Sequence, residues 1–317
     1  MNNLDYSKVF EVLVTETKNY VKTNNLKAMV LGISGGIDST VVAAICHEVS
    51  KQTGIPLIGR SLPIKNKNDE FDTSKLVGKA FCNNFEVTNL YEVFNKFLTL
   101  VDGDNLTSLR QTPIANGNIQ ARLRMIYLYN LASIYNGLVI STDNQTEYQL
   151  GFWTIHGDVG DFDPIQGLWK TEVYELAKWL IGYYYGCGIK KEVGTDGARK
   201  ICDMCEAIKK SMSLTPTDGL GISNSDLEQI GAKSYNEVDD ILKTLISCES
   251  SEGTYMLAGN VVHIQANKKS DLYKKYGEDV VNKVWSRHLA SEFKREKAPI
   301  YISVSYTHLR AHETLSD

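Results

Sequence analysis

The sequence predicts an α/β fold in which a doubly wound, mostly parallel sheet is flanked by helices. Two observations support this prediction. Short apolar runs alternate with longer segments of helical periodicity, and the runs are continuous, as in strands buried on both faces. The chain has 317 residues, of which 43% are hydrophobic, so it contains enough apolar material for a sizeable core.

The first half of the chain carries the clearest alternation. The segment 6–21 has apolar residues at helical spacing, and the apolar run 27–33 predicts the first buried strand. Because helices and strands then alternate, we expect βαβ units. The elements expected after this strand are helix 38–50, strand 56–61, helix 69–83, strand 84–88, helix 91–101, helix 118–135 and strand 138–141.

The second half is predominantly helical. The stretch 151–167 is rich in glycine and aspartate and too polar and irregular for a regular element. Residues 303–317 lack periodicity and predict a disordered tail or a non-native extension, which leaves one domain over 1–302. The helices expected here are 170–184, 197–210, 235–245 and 271–294.

Charge and hydropathy exclude several classes of protein. Lys+Arg of 34 against Asp+Glu of 38 gives a net charge of −4, which argues against a chain that coats nucleic acid. No apolar run approaches the roughly 20 residues that span a bilayer. The N-terminus also lacks the basic and apolar regions of a signal peptide. We therefore expect a cytoplasmic protein that binds neither nucleic acid nor membrane.

The six cysteines are too few for a disulfide scaffold in a chain of this length. Cys202 and Cys205 form one CxxC on a predicted helix, whereas a zinc site would want a second pair. We interpret them as structural or adventitious thiols.

A glycine-rich turn over residues 32–39 follows the first predicted strand and opens the next helix. Two adjacent glycines allow a tight turn, so successive backbone N–H groups and the helix N-terminus can face an anion. The setting predicts phosphate or pyrophosphate binding. Asp38 would either cap the helix or, beside a phosphate, need a divalent cation between the two negative groups.

Three interpretations of this turn compete. A Walker A loop would need lysine followed by serine or threonine, where the chain has Ile37 and Asp38. A nucleophile elbow, G-x-S-x-G, would make Ser34 the nucleophile of a serine hydrolase, but it leaves Asp38 and Ser39 unexplained. The hexapeptide SGGIDS matches every fixed position of the SGGxDS pyrophosphate loop that is typical of N-type ATP pyrophosphatases.

Three side chains fit a phosphate site on physical grounds. Thr142 ends a buried strand and should lie at the carboxyl edge of the sheet, where open α/β sheets bind ligands. Lys170 begins a helix, where a cation is disfavoured by about 0.3–1 kcal/mol; an anionic ligand would explain it, and an exposed lysine is the alternative. Glu147 is either a solvated helix acid or a partner of Asp38 around magnesium, which prefers a few carboxylates with phosphate oxygens and water.

The order of the motifs downstream resembles that of NAD synthetases. N-I-Q-A-R-L-R-M at 118–125 resembles a helix signature of that family, and S-T-D-N-Q-T-E at 141–147 resembles the end of one of its strands. The resemblance extends from the N-terminus to about residue 302. Its other motifs are G-F-W-T at 151–154 with G-D at 157–158, G-L-W-K at 167–170, P-T at 216–217, Y-N-E-V-D at 235–239 and F-K-R at 293–295.

The resemblance implies an adenine nucleotide alpha hydrolase-like, Rossmann-like fold and a two-step ligase of NAD biosynthesis. The carboxylate of deamido-NAD attacks the α-phosphorus of ATP and releases pyrophosphate, and ammonia then displaces AMP to give NAD. ATP is the implied co-substrate, Mg²⁺ the implied metal, and a homodimer with the substrate site across its interface the implied assembly. Because no amidase-sized segment precedes Met29, we expect free ammonia to be the direct nitrogen donor.

The resemblance also implies roles for individual residues. Asp38 and Lys170 are the implied catalytic residues, and Asp38 with Glu147 the implied magnesium ligands. The residues implied to bind ATP are Gly32, Ile33, Ser34, Gly35, Gly36, Ile37, Asp38, Ser39, Thr142, Lys170 and Thr217. Those implied to bind deamido-NAD are Arg122, Asp161, Phe293 and Lys294.

Three positions depart from the family pattern, all of them among the substrate contacts. Ile155 stands where the family has a lysine, and Phe293 where it has a histidine. Asp161 aligns only with a one-residue gap, so Asp158 or Asp163 is the alternative there.

Besides the serine hydrolase with Ser34 as nucleophile, two other functions remain open from the sequence. Another adenylating ATP pyrophosphatase, such as an RNA thiolase using Cys202 and Cys205, would want a basic surface that the net charge of −4 does not indicate. A non-catalytic nucleotide-binding module would bind ATP without releasing AMP.

Overall fold

The computed structural model describes residues 4–64, 68–103, 113–190, 194–216, 225–250 and 268–295. Within these ranges the chain forms one parallel sheet of four strands with helices packed on it. The strands are β1 (Met29–Gly32), β2 (Leu57–Ser61), β3 (Asn84–Val87) and β4 (Leu138–Ile140). The helices are α1 (Tyr6–Thr23), α2 (Ile37–Thr53), α3 (Asn68–Phe81), α4 (Tyr91–Gly103), α5 (Pro113–Ile134), α6 (Gln145–Leu150), α7 (Lys170–Lys190), α8 (Thr195–Ser213), α9 (Asp226–Ile230), α10 (Tyr235–Ser250), α11 (268–276), α12 (Glu278–Ala290) and α13 (Glu292–Arg295).

Strands β1, β2 and β4 are buried, as the continuous apolar runs predict, whereas the edge strand β3 is partly exposed. Met29 and Leu31 of β1 pack in the large core beneath α2, whereas Val30 between them packs with Ala132 of α5 on the opposite face. Side chains alternate between the two faces because a strand has a period of two. The doubly wound α/β prediction is confirmed.

The strand order β3-β2-β1-β4 determines where a ligand can bind. From β1 the chain proceeds outward to β2 and β3, and then crosses back to place β4 on the other side of β1. Met29 is therefore in register with both Leu57 and Leu138. Open α/β sheets bind ligands in the crevice at such a reversal, at the carboxyl ends of the strands. Here the crevice lies between the segments that follow β1 and β4.

A second, smaller core lies beyond the carboxyl edge of the sheet. Leu150 of α6 packs there with residues of α9 to α12, among them Val238, Leu242, Val281 and Val284. Because α6 belongs to this cluster and also follows β4, the helical second half is attached directly to the edge of the sheet that carries the crevice.

Several predicted boundaries are wrong. The expected helix 271–294 is divided, because Gly277 has a φ of +94°, outside the helical region, and a new helix begins at Glu278. Helix α5 begins at Pro113, five residues earlier than expected, with proline at its first position. The short helices α6 and α9 have no counterpart in the prediction. The irregular stretch 151–167 is confirmed, since it holds neither a helix nor a strand.

The proposed tail 303–317 lies outside the described residues, and so does the end of the proposed domain 1–302. Among the helices that the structure describes, none combines the length and apolar character needed to cross a membrane.

Candidate active site

The glycine-rich turn connects β1 to α2 in a conformation that only glycine adopts readily. Gly35 has a φ of +91°, and a Cβ atom there would lie 2.5 Å from the carbonyl oxygen of Glu70. Gly36 is the N-cap of α2 and makes no side-chain capping bond. The first N–H groups of α2 therefore open toward the crevice, as anion binding at a helix N-terminus requires.

The hydroxyl groups of the turn bond within the turn itself. Ser34 Oγ lies 3.0 Å from Ser39 Oγ and accepts a hydrogen bond from the N–H of Gly36 at 3.2 Å. Ser39 and Thr40 donate to the carbonyl oxygen of Gly36 at 3.0 and 2.9 Å. In the described part of the chain the partners of Ser34 are thus turn atoms rather than a histidine base, which does not favour a serine hydrolase.

Lys170 joins the two acidic residues that the sequence singles out. Its Nζ donates to Asp38 Oδ2 at 2.5 Å and to Glu147 Oε1 at 2.9 Å, and only 2% of its surface is exposed. Each of the three comes from a different element at the crevice: Asp38 from the first turn of α2, Glu147 from α6 and Lys170 from the first position of α7. Lys170 is thus no exposed lysine, and Glu147 is no solvated helix acid.

Asn144 connects this cluster to the end of β4. Its side chain accepts from the N–H of Glu147 at 3.0 Å as the N-cap of α6, and its Nδ2 donates to Asp38 Oδ1 at 2.9 Å. Glu147 Oε2 in turn accepts from the N–H of Asn144 at 3.3 Å, which completes a capping box. One local motif therefore both starts α6 and orients two carboxylates.

The electrostatics of the cluster follow from burial and close charges. Burial disfavours the ammonium of Lys170, but the carboxylates of Asp38 and Glu147 outweigh it and raise the pKa of Lys170 well above its usual value. Burial raises the pKa of Glu147 to about 7; the Lys170 charge lowers it and the Asp38 charge adds to the rise. Glu147 therefore changes charge near neutral pH, while Lys170 stays protonated.

The two carboxylates fit the magnesium that the family resemblance implies. Asp38 and Glu147 already converge on one cationic point, the Lys170 Nζ, and both offer hard oxygen ligands. Two carboxylates do not complete an octahedron, so the remaining ligands would have to be phosphate oxygens and water. No group of three or more acidic, histidine or cysteine side chains in the described ranges forms a metal site by itself.

The crevice encloses a cavity of about 420 Å³, within the size range of small-ligand sites. Most of the residues expected to bind ATP line it, whereas Thr217 lies outside the described residues. Those that line it are Gly32, Ile33, Ser34, Gly36, Ile37, Asp38, Ser39, Thr142 and Lys170, whereas Gly35 does not. The expected magnesium ligand Glu147 lines the cavity as well.

The residues expected to bind deamido-NAD do not line this cavity. Arg122 is exposed on α5 and donates to the carbonyl oxygen of Ile155 at 3.1 Å. Lys294 donates to the carbonyl oxygens of Gly151 and Trp153 at 2.7 and 2.5 Å. These two side chains hold the loop after α6.

The other two expected substrate contacts do not line the cavity either. Phe293 is 58% exposed on α13. Asp161 accepts from Tyr129 Oη at 2.9 Å and from the N–H of Val139 at 3.0 Å, so its carboxylate fastens the loop to β4. Asp158, the alternative to Asp161, does line the cavity and accepts from the N–H of Thr154 at 2.6 Å.

Sequence reasoning missed several cavity residues. Arg124 lines the cavity and donates through Nε to the carbonyl oxygen of Leu62 at 3.0 Å. Tyr174 and Asp226 line it near Lys170. Nothing local marks Tyr174 or Asp226, but the capping-box spacing from Asn144 to Glu147 is a signal that could have revealed α6.

Comparison with known proteins gives one consistent result. A family model described as NAD synthase matches residues 9–298. The chain is 33% identical over 220 residues to the NH(3)-dependent NAD(+) synthetase of Thermoplasma volcanium, covering 68% of this chain and 76% of the relative. It is 29% identical over 250 residues to the protein of the same name from Finegoldia magna, covering 78% and 89%.

Solved structures show the same fold. An NMN synthetase from Francisella tularensis superposes with a TM-score of 0.67 at 24% identity, covering 94% of this chain and 99% of its own. An NH3-dependent NAD synthetase from Campylobacter jejuni superposes with a TM-score of 0.63 at 22% identity, covering 94% and 100%. At these identities the likeness concerns the fold, and it extends over both the sheet and the helical second half.

Proposed function

The chain belongs to the NAD synthase family, and on that premise we propose that it amidates deamido-NAD with ammonia, using ATP and releasing AMP and pyrophosphate. It is a ligase that forms a C–N bond with ATP as co-substrate. The observation that carries the proposal is the cluster of Asp38, Glu147 and Lys170 at the end of an anion-binding turn. The family match favours this reaction over that of another adenylating ATP pyrophosphatase such as an RNA thiolase.

The first step activates the carboxylate of deamido-NAD. A carboxylate oxygen attacks the α-phosphorus of ATP, the bond from that phosphorus to the bridging oxygen breaks, and pyrophosphate leaves. The N-terminus of α2, which has no side-chain cap, binds the departing pyrophosphate. Lys170 supplies a fixed positive charge beside it, and such preorganised charge is the main source of rate in phosphoryl chemistry.

The second step forms the amide. The nitrogen of ammonia attacks the activated carboxyl carbon, AMP leaves with the former carboxylate oxygen, and one proton is released. The relatives are named NH(3)-dependent, which supports ammonia itself as the nitrogen donor.

Asp38 and Glu147 would hold magnesium, which would offset the negative charge of the phosphates when bound. The Lys170 ammonium offsets part of the negative charge of the two carboxylates. Of the expected ATP residues, Gly32 to Ser39, Thr142 and Lys170 keep the roles proposed from the sequence, and Thr217 keeps its role as a proposal.

A homodimer would bring the remaining substrate contacts together. Helices α4 and α5 expose large apolar side chains, including Leu100 at 70%, Ile126 at 59% and Ile134 at 68%. Arg122 lies one turn before Ile126 on α5 and is exposed as well. We propose that this face pairs with a second copy, which would place Arg122 at a substrate site shared across the interface, with Asp161, Phe293 and Lys294 as further candidates.

The single domain 1–302 and a cytoplasmic location complete the proposal. The family match over 9–298 spans both the sheet and the second core, which supports one synthetase unit. A cytoplasmic location suits an enzyme that consumes ATP.

The direct experiment is an incubation with ATP, Mg²⁺, deamido-NAD and ammonium. We expect AMP, pyrophosphate and NAD in equal amounts. Asp38→Asn should abolish this turnover, whereas Ser34→Ala should keep measurable activity because Ser34 contributes a hydroxyl and no nucleophile. ATP bound without AMP release would indicate a binding module, and ester hydrolysis lost in Ser34→Ala would indicate a hydrolase.

A further inference from the structure

A buried carboxylate outside the cavity connects the two helices that carry Glu147 and Lys170. Asp239 lies on α10 and is 2% exposed. Its Oδ1 accepts from Thr146 Oγ1 at 2.6 Å, and its Oδ2 accepts from both the N–H and the hydroxyl of Thr171 at 3.0 and 2.7 Å. Thr146 Oγ1 in turn accepts from the N–H of Lys170 at 2.9 Å. None of these three side chains lines the cavity.

These contacts provide hydrogen-bond acceptors for the N–H groups at the start of α7, from residues that are distant in the sequence. The first N–H groups of a helix have no partner within it, and here Lys170 and Thr171 find theirs in Thr146 and Asp239. A carboxylate near a helix N-terminus also interacts favourably with the helix dipole, which opposes a cation at the same place. Asp239 therefore helps determine where α7 begins, and hence the backbone position from which the Lys170 side chain extends.

The same carboxylate orients α6. Thr146 immediately precedes Glu147, and its hydroxyl is held between Asp239 and the N–H of Lys170. Because Glu147 and Lys170 meet at 2.9 Å, a shift of either helix start would change the distances to Asp38 as well.

We propose that Asp239 is a positioning residue for the reaction: through Thr146 and Thr171 it holds Glu147 and Lys170 in register with Asp38. The proposal rests on the proposed function. The residue touches neither substrate nor reacting atoms, so its effect should appear in the chemical step rather than in the binding of deamido-NAD. Displacements of catalytic groups by about 1 Å and losses of supporting hydrogen bonds typically cost 10- to 100-fold.

The test compares Asp239→Asn with Asp240→Asn, the same chemical change at the next residue of α10. Asp240 is half-exposed and bonds to Lys275 and Tyr276, away from the cavity. We expect Asp239→Asn to lower kcat by about 10- to 100-fold with the KM for deamido-NAD within about twofold. Asp240→Asn should leave both within about twofold. Equal kcat values in the two variants, or a loss confined to KM, would overturn the proposal.

A second pair of variants keeps the test decisive if Asp239→Asn does not fold. Thr146→Val removes the connecting hydroxyl at nearly constant shape and should lower kcat. Thr146→Ser retains the hydroxyl, so its kcat should stay close to that of the wild type. If serine is as impaired as valine, the hydrogen bond is not what matters.

Hydrogen exchange separates this proposal from the proposed function, since it needs no turnover. The amides of Lys170 and Thr171 should exchange faster in Asp239→Asn than in the wild type. Unchanged exchange would contradict the positioning role of Asp239. An inactive wild type with this faster exchange in the variant would instead count against the assigned reaction.

Discussion

Replacing Lys170 with methionine removes the ammonium that lies between Asp38 and Glu147 while keeping most of the side-chain volume. Methionine leaves two carboxylates facing each other in a buried site. Breaking a buried ion pair by removing one partner typically costs about 3–5 kcal/mol. Because Lys170 is 2% exposed and bonds to both carboxylates at 2.5 and 2.9 Å, we expect a loss in that range in the free energy of unfolding.

The loss should depend on pH in a definite direction. The pKa of Glu147 is about 7 in the folded protein, against 4.5 for an ordinary glutamate. Between pH 4.5 and pH 7 the folded state therefore binds more protons than the unfolded state. The free energy of unfolding then falls as the pH rises through this window. Without Lys170, which lowers it, the pKa of Glu147 should rise further. The variant should then continue to lose stability above pH 7, by up to about 1.4 kcal/mol per pH unit.

Urea unfolding followed by tryptophan fluorescence, at one protein concentration and at pH 6, 7 and 8, measures both effects. The matched control is Lys243→Met, since Lys243 pairs with Glu172 at 2.7 Å but is 41% exposed. A pair of that kind contributes about 0–1 kcal/mol. Equal destabilisation by the two variants, or a difference that does not widen from pH 6 to pH 8, would refute the reasoning about the buried cluster.

Three further predictions follow from the turn, the exposed face and the titrating carboxylate. Gly35→Ala should abolish ATP turnover and destabilise the fold, because φ is +91° and backbone atoms lie within 3 Å of the position of the added Cβ atom. Gly54→Ala, at φ +75° and with no atom within 4 Å, should lower the free energy of unfolding by only about 1 kcal/mol. Activity assays and urea unfolding measure both effects. Ile126→Glu should convert a dimer to monomers in sedimentation, whereas Val12→Glu, at 57% exposure on α1, should not. Magnesium affinity measured with ATP should increase from pH 6 to pH 8 as Glu147 loses its proton, and it should lose this dependence in Glu147→Gln.

The features that the sequence predicts best are those that depend on residues adjacent in the chain. The turn 32–39 follows a strand and begins a helix, and local sequence patterns alone predict both the strand and the helix. Thr142 could be placed at the carboxyl edge of the sheet for the same reason. The short apolar runs likewise predict the four strands, and the structure confirms each of them, although the edge strand β3 is partly exposed.

The pairing of charges could not be predicted, because it depends on contacts between distant parts of the chain. Lys170 and Asp38 are 132 residues apart, and only the crossover that brings β4 beside β1 makes them neighbours. Asp239 is 93 residues from Thr146, and although it ends the motif Y-N-E-V-D at 235–239, nothing in that motif indicates which residues it contacts. The break at Gly277 was also missed, since a single glycine inside a periodic segment does not by itself predict a positive φ.

The measurement that tests the central claim most directly follows oxygen through the reaction. Deamido-NAD labelled with ¹⁸O in its carboxylate is incubated with the enzyme, ATP, Mg²⁺ and ammonium, and the products are analysed by mass spectrometry. Attack on the α-phosphorus predicts one ¹⁸O atom in the AMP for each NAD formed, and none in pyrophosphate. Label in inorganic phosphate, or AMP without label, would contradict the adenylation that we assign to the site around Asp38, Glu147 and Lys170.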